Sequence, residues 1–392
     1  MFGDLFNMSL YDSSLLIQSI PGLLISLSGL ILMGSVLIDA TDDPRLAGVP
    51  VILEANCILA FKGNIELTFA MYLSSMSQSP LFIYRRYFRY VFDNSSMVLA
   101  QSVAIGLVIG LIGMAGGILS GGLSEGLGLS ILAGALVSCI LTSILFIILL
   151  VISIELSKFM DINPDNIILP TISSFGDYTN VRSLVYFTKW FRDSSPSSCL
   201  SYIFLSISLM PLCLCFVLVS KKRIPLQPVE VLLATYGIST ASGYVLETFS
   251  TRFPVLAPSF PVFGGMSVSI AFIYLHRIFT SINNRTIHNS RKSYITLVLA
   301  SILMSLCYLG MAALMGILYS REFCVLFIIS FVFQVTILLS GISLLVEYLD
   351  KKEEDTGVLA LPLISSISDL LSTGFLITIC VILDLFDIKN GF

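Results

Sequence analysis

The chain has 392 residues, of which 56% belong to the apolar set Ala, Val, Ile, Leu, Met, Phe, Trp, Tyr and Cys and only 12% are Asp, Glu, Lys or Arg. Soluble domains carry about 25% charged residues, so this composition excludes an ordinary water-exposed surface. The formal net charge of −4 with no basic stripe excludes nucleic acid as a natural partner, and two histidines with eight cysteines but no Cys-x-x-Cys pair exclude a zinc centre or a disulfide framework.

Mean hydropathy is +0.95, and apolar runs predict an all-α polytopic membrane protein of about eleven transmembrane helices, over 16–38, 48–76, 97–119, 128–157, 166–188, 199–220, 227–248, 257–282, 293–317, 322–348 and 358–386. Met1 to Ser14 contains two aspartates and no Lys or Arg, which does not fit a cleaved secretory signal. The first span closes on Asp39. The second, 48–76, carries Glu54, Asn56 and the run Phe61-Lys62-Gly63-Asn64-Ile65-Glu66. Its glycine and polar residues predict a broken or pore-facing segment, and 257–282 reads the same way. Lys62 and Glu66, four apart, share a helical face and either neutralise one another or meet an ion directly. Gly63 permits a close approach or an unwound turn, and Asn64 offers a neutral oxygen. In the third span Gly106 and Gly110 have small-xxx-small spacing, which predicts helix packing rather than a nucleotide loop. His276 and Arg277 fall near the end of 257–282, where a solvated or snorkelling position is the default. Glu353-Glu354-Asp355 form a solvated acidic loop balanced by Lys351 and Lys352.

The basic clusters at Arg85–Arg89 and Lys221–Arg223 fall on one side of the predicted topology, with twelve Lys and Arg on that side against six on the other. The positive-inside bias therefore predicts a cytoplasmic N-terminus.

Two copies of one unit are visible. Pro170-Thr-Ile-Ser-Ser-Phe-Gly-Asp177 returns as Pro362-Leu-Ile-Ser-Ser-Ile-Ser-Asp369, 192 positions later. Asp39 pairs with Glu247 at an offset of 208, and Asn64 with Ser269 at 205. Residues 1–190 and 226–392 then form five-helix repeats, joined by a connector, 191–225, with one transmembrane helix. That odd helix restores orientation, so the halves are expected to be parallel about an axis along the membrane normal.

An aspartate inside a bilayer costs about 2.5–3.5 kcal/mol on insertion scales and is usually retained facing a cavity. Asp177 and Asp369 are the leading cases, each with a proline seven residues earlier and with Ser173, Ser174, Ser365 and Ser366 close by. A parallel two-fold brings both aspartates to the central axis, and an oxygen-only site of that kind suits a hard divalent cation. A hydrogen-bonded aspartate with a purely structural role is the alternative for either one taken singly.

At KGNIELTFAMYLSS (62–75) and NPDNIILPTISSFGDYTN (163–180) the chain resembles the MgtE-type magnesium transporters, and in its duplication their eukaryotic solute-carrier branch. The resemblance implies five-helix units around a central cation pathway lined by spans 48–76, 166–188, 257–282 and 358–386, with the family's membrane aspartate at Asp177 and again at Asp369. It implies a metal site drawn from Asp177, Asp369, Asn64, Ser173, Ser365 and Ser269. The second copy departs from the pattern, since Ser267-Val268-Ser269 replaces a GGN-like motif.

The function expected is Mg²⁺ transport across a membrane, by channel-like uptake or cation-coupled exchange, with Mg²⁺ as substrate rather than cofactor. Na⁺ is the candidate counter-ion, the plasma membrane the expected location, and a monomer is plausible because the halves are fused. An intramembrane aspartyl protease is the enzyme alternative. It is disfavoured because Ser174 interrupts a Gly-x-Gly-Asp sequence and Asp369 follows Ser368 rather than tyrosine. A degenerate, non-conducting scaffold is the third reading, prompted by the altered 267–269.

Overall fold

The computed structural model describes residues 11–77, 84–119, 121, 125–159, 164–193, 229–284, 290–352 and 356–386. These form ten α-helices: α1 (Ser13–Thr41), α2 (Val51–Ser77), α3 (Tyr84–Leu119), α4 (Glu125–Phe159), α5 (Pro164–Asp193), α6 (Val229–Ser250), α7 (Leu256–Asn284), α8 (Ser290–Leu314), α9 (Arg321–Lys351) and α10 (Thr356–Leu385). No strand occurs among the described residues. The span expected at 199–220 and the acidic loop 353–355 lie outside them.

Helices of 22 to 36 residues are about 33–54 Å long at 1.5 Å per residue, enough for a hydrocarbon core of about 30 Å. Seven of the ten are both long and apolar enough to cross a membrane. The other three, α2, α5 and α6, are less apolar and bury Glu54, Asn56, Lys62, Asn64, Glu66, Asn180 and Ser239 inside the bundle. The chain is an integral, multi-pass membrane protein.

Lipid tails are as apolar as leucine, so the helices are held together by close packing and buried polar contacts rather than by escape from water. In α9, Phe323, Phe327 and Phe331 are buried at successive i, i+4 positions, while Val325, Ile329 and Phe333 look outward. The Phe327 and Phe331 rings meet Phe263 of α7 edge-on at 5.1 and 5.4 Å. Between α3 and α4 small residues do the work. A Cβ on Gly106 would lie 2.9 Å from the Leu136 Cα, and one on Gly110 would lie 2.8 Å from the Leu132 Cα. The small-xxx-small reading therefore holds.

The pattern of neighbours in α1–α5 recurs in α6–α10. Helix α1 packs on α5 as α6 packs on α10; α2 packs on α5 as α7 packs on α10; and α3–α4–α5 repeats as α8–α9–α10. The cross-contacts match too: α1 with α7 as α6 with α2, and α2 with α10 as α7 with α5. The C-terminal ends of α1 and α6 share one face of the molecule, because Ile38–Thr41 and Glu247–Thr251 line the same depression. Helix α5 ends on that face, where Arg45 pairs with Asp193 at 3.3 Å, and α10 ends there too, where Arg252 pairs with Asp384 at 2.6 Å.

The sequence suggests broken or pore-facing segments at α2 and α7; both are continuous rather than broken, with Gly63 and Pro261 within regular helix, and both turn residues toward an interior cavity. Gly63 is tolerated because its missing side chain borders open space, and Pro261 lies in the second turn, close to the end where N–H groups lack intrahelical partners. His276 is not solvated but only 2% exposed, because that face of α7 turns into the bundle. Its neighbour Arg277 reaches Asp12 ahead of α1 at 3.5 Å.

The α1–α2 turn is fastened by Asp43. Its carboxylate accepts from the Arg45 backbone at 2.9 Å, from the Arg45 guanidinium at 2.9 and 3.1 Å, and from Lys189 of α5 at 2.7 Å. The Arg45 side chain first, and Lys189 second, hold its pKa well below the ordinary carboxylate range. A carboxylate depressed in the folded state stabilises fully above its unfolded pKa of about 3.9, and this contribution is lost as pH falls through the lower folded value. Asp43→Asn should therefore lower the melting temperature by a margin that stays constant from about pH 8 to pH 5 and closes in strong acid. Melting curves of both proteins across pH check this.

Candidate functional site

Helices α1, α2, α5, α7 and α10 surround a central cavity of about 60 Å³, room for a few waters, since one needs roughly 10–15 Å³. Asp177 of α5 and Asp369 of α10 both line it, with Asn56 and Asn64 of α2 and Ser365 of α10. The remaining wall is apolar, including Leu30 and Met33 of α1 and Phe260 and Phe272 of α7. Each aspartate reaches the cavity for the same local reason: it follows its proline by seven residues, about two helical turns, on equivalent helices.

The two carboxylates are held differently. Asp369 Oδ2 accepts from Ser239 of α6 at 2.8 Å, and Ser242 donates to the Asp369 carbonyl at 3.0 Å. At the 208-residue offset, Ile31 and Gly34 of α1 stand where α6 has Ser239 and Ser242, so α1 offers Asp177 no equivalent hydroxyl. Ser365 donates to Asn64 Oδ1 at 2.7 Å, tying α10 to α2 across the halves. The Asn64 Nδ2 has no hydrogen-bond partner among the described residues.

Of the expected site residues, Asp177, Asp369, Asn64 and Ser365 therefore border one space. Ser269 does not border it: it is buried, donating to Gly265 O at 2.8 Å and lying 3.3 Å from Ser26 Oγ. The Ser173 side chain lies outside the described residues, while its neighbour Ser174 bonds Ser26 of α1. Asn56, unassigned in the sequence reading, lines the cavity while its Nδ2 donates to Ser239 O at 2.7 Å. Among the described residues no three His, Cys, Asp or Glu side chains converge as a metal cage.

Lys62 and Glu66 lie apart from the cavity lining. The Lys62 ammonium donates to Glu66 Oε1 and, at 2.8 Å, to Asn180 Oδ1 of α5. Ser143 of α4 donates to the same Glu66 oxygen at 2.9 Å and is 2.6 Å from Ser102 of α3. The neutralising alternative for this pair is the one observed. Asn180 went unremarked in the sequence; its signal was its place one turn beyond Asp177.

A larger depression of about 510 Å³ opens at the face where α1 and α6 end, with Asp42 and Glu247 in its wall. Glu247 Oε2 accepts from the Ile52 and Leu53 N–H groups at 2.8 and 3.0 Å, so the second half caps the N-terminus of α2. Asp39, its counterpart by the same offset, is exposed. No residue lines both spaces. Between them α1 buries Val36 and Leu37, and its Gly34 backbone lies so close to Pro258 of α7 that a Cβ would fall 2.8 Å from the proline carbonyl oxygen.

A family model described as MgtE, divalent cation transporter, matches residues 55–187 and 260–379, well over half of the chain. The chain belongs to the MgtE family of divalent cation transporters. The two matched stretches contain Asp177 and Asp369 respectively, and MgtE is a family of transporters rather than enzymes. Comparison with curated proteins and with solved structures gives no significant match.

Gly63 gives this MgtE protein a separable test of cavity and fold. It borders the cavity, and a Cβ there would meet nothing within 4 Å. Gly63→Ala should leave stability unchanged or raise it by up to about 1 kcal/mol through helix propensity, while cutting cation flux by narrowing the space. Melting temperature and reconstituted flux, measured on one preparation, check both halves of the expectation.

Proposed function

We propose that the protein carries Mg²⁺ across the membrane through a central pathway between two parallel, pseudo-symmetric halves, 1–190 and 226–392, linked by 191–225. The observation that carries this reading is that Asp177 and Asp369 line one cavity. Mg²⁺ dehydrates reluctantly and is commonly bound through one or two carboxylates while keeping several waters. Two carboxylates, the Asn64 carbonyl and the Ser365 hydroxyl suit that mode: the acids attract the ion and the neutral oxygens hold its waters. The recurrence of helix contacts, with the shared face of α1 and α6, supports the two-half division.

The wide depression at Glu247 acts as the outer mouth, and the segment around Leu37, Gly34 and Pro258 as the closure between mouth and cavity. Opening it requires α1 to move against α7. The membrane potential contributes roughly 4.6 kcal/mol per 100 mV for a divalent ion, at about 2.3 kcal/mol per charge, so inward flux needs no other source of energy. The charge bias of the loops supports a cytoplasmic N-terminus, and the reading places the protein in the plasma membrane.

Two outcomes are expected. Asp177→Asn keeps size and one carbonyl oxygen but loses the charge, so it should reduce reconstituted Mg²⁺ flux on the order of tenfold, equivalent to about 1.4 kcal/mol of ion stabilisation. Asp369→Asn, already held by Ser239, should reduce it less, and the double variant should fall little below the worse single one, because residues of one site are not additive. Wild-type flux from folded Asp177→Asn protein would overturn the site. Cysteines placed near residues 86 and 222 should resist impermeant reagents outside intact cells; labelling there would overturn the orientation.

A further inference from the structure

The group around Lys62 has the composition of a cation site that is already filled. Three oxygens of the kinds that hold hard cations gather there: the Glu66 carboxylate, the Asn180 amide carbonyl and the Ser143 hydroxyl. Lys62 is 1% exposed and Glu66 2%, so neither charge is shared with water. The ammonium binds two of these oxygens itself, and the third meets the same carboxylate oxygen. An ionised carboxylate in this position needs a counter-charge, and the chain supplies it from four residues earlier on its own helix.

The other half shows what the position looks like without charge. By the offsets of 205 and 192, Lys62, Glu66 and Asn180 correspond to Ser267, Ala271 and Ser372. There the Gln334 Nε2 of α9 donates to Ser267 at 2.8 Å and to Ser372 at 2.7 Å, with the Ser368 hydroxyl 3.2 Å away. A neutral amide network thus ties α7, α9 and α10 where an ionic one ties α2, α4 and α5. Both networks end one turn or less from an aspartate of the cavity: Asn180 is three residues beyond Asp177, and Ser368 immediately precedes Asp369.

We propose that Lys62 is a tethered counter-ion: its ammonium permanently occupies a small monovalent-cation site in the first half, and removing the side chain opens that site to a free cation. The wild-type protein then needs no Na⁺ at this position to hold α5 and Asp177 in place. Lys62 is a positioning residue, acting on the cavity through Asn180 and α5. The inference concerns the chain's own charge and holds whether or not Mg²⁺ is the cargo.

The test is thermal unfolding of purified full-length protein, at constant ionic strength, in N-methylglucamine chloride against methylammonium chloride and NaCl. Lys62→Ala should melt lower than wild type in N-methylglucamine. Methylammonium or Na⁺ should raise its melting temperature saturably, by roughly 2–4 °C when in large excess. Neither cation should shift wild type or Lys62→Ala/Glu66→Gln, in which the carboxylate needing a partner is gone. Folded Lys62→Ala that responds to neither cation, or a double variant that responds as strongly, overturns the proposal. Should Lys62→Ala fail to fold, recovery of folded protein in the double variant supports the counter-ion role, and its failure to recover overturns it. Because the readout is melting rather than flux, a negative result here leaves the transport reading to its own test.

Discussion

A charge in a hydrocarbon medium has to be paired, capped or turned to water, and the architecture follows from how this chain meets that demand. Lys62 and Glu66 pair with each other inside the first half. Glu247 takes the N–H groups that begin α2. Asp177 and Asp369 turn into a cavity. Glu54 is the exception that shows the constraint: it is 1% exposed, its Oε1 has no partner among the described residues, and Gly113 of α3 is the residue that leaves it room. The three least apolar helices, α2, α5 and α6, are packed between apolar neighbours. Two of them, α2 and α5, supply Asn64 and Asp177 to the cavity, and α10 supplies Ser365 and Asp369.

The helix contacts of α1–α5 recur in α6–α10, but the bonds within them do not. Asp369 is held by Ser239 while Ile31 faces the corresponding position of the first half; an ion pair braces α5 and a glutamine braces α10. A pathway between equivalent halves would hold an ion symmetrically. Here one carboxylate is freer than the other, and one supporting helix is fixed by charge while its counterpart is fixed by neutral hydrogen bonds that exchange at lower cost.

Much of this was legible in the sequence because the information was periodic or repeated. Run length located the ten described helices, and the proline-to-aspartate interval, present twice, identified the two cavity acids. Ser365 followed from the same motif, and Asn64 from the Lys62-Gly63-Asn64 run. What sequence did not disclose was tertiary. Gly63 allowed either a close approach or an unwound turn, and only the fold shows that α2 stays continuous with open space at that position. His276 looked solvated from its distance along α7, whereas its exposure depended on which face met the bundle. Ser269 matched Asn64 by offset but was drawn to Gly265 and Ser26 instead. Asn180 carried only its place one turn beyond Asp177, since its role exists only where α5 meets Lys62.

The central claim is that a divalent ion rests between Asp177 and Asp369. Mn²⁺ has the same preference for oxygen ligands as Mg²⁺ and scatters anomalously, so diffraction from crystals grown with Mn²⁺ tests the claim most directly. The account predicts an anomalous peak in the central cavity, bordered by both carboxylates and displaced by excess Mg²⁺. A Mn²⁺ peak confined to the outer depression near Glu247, or none in the cavity of protein that transports the ion, would contradict it.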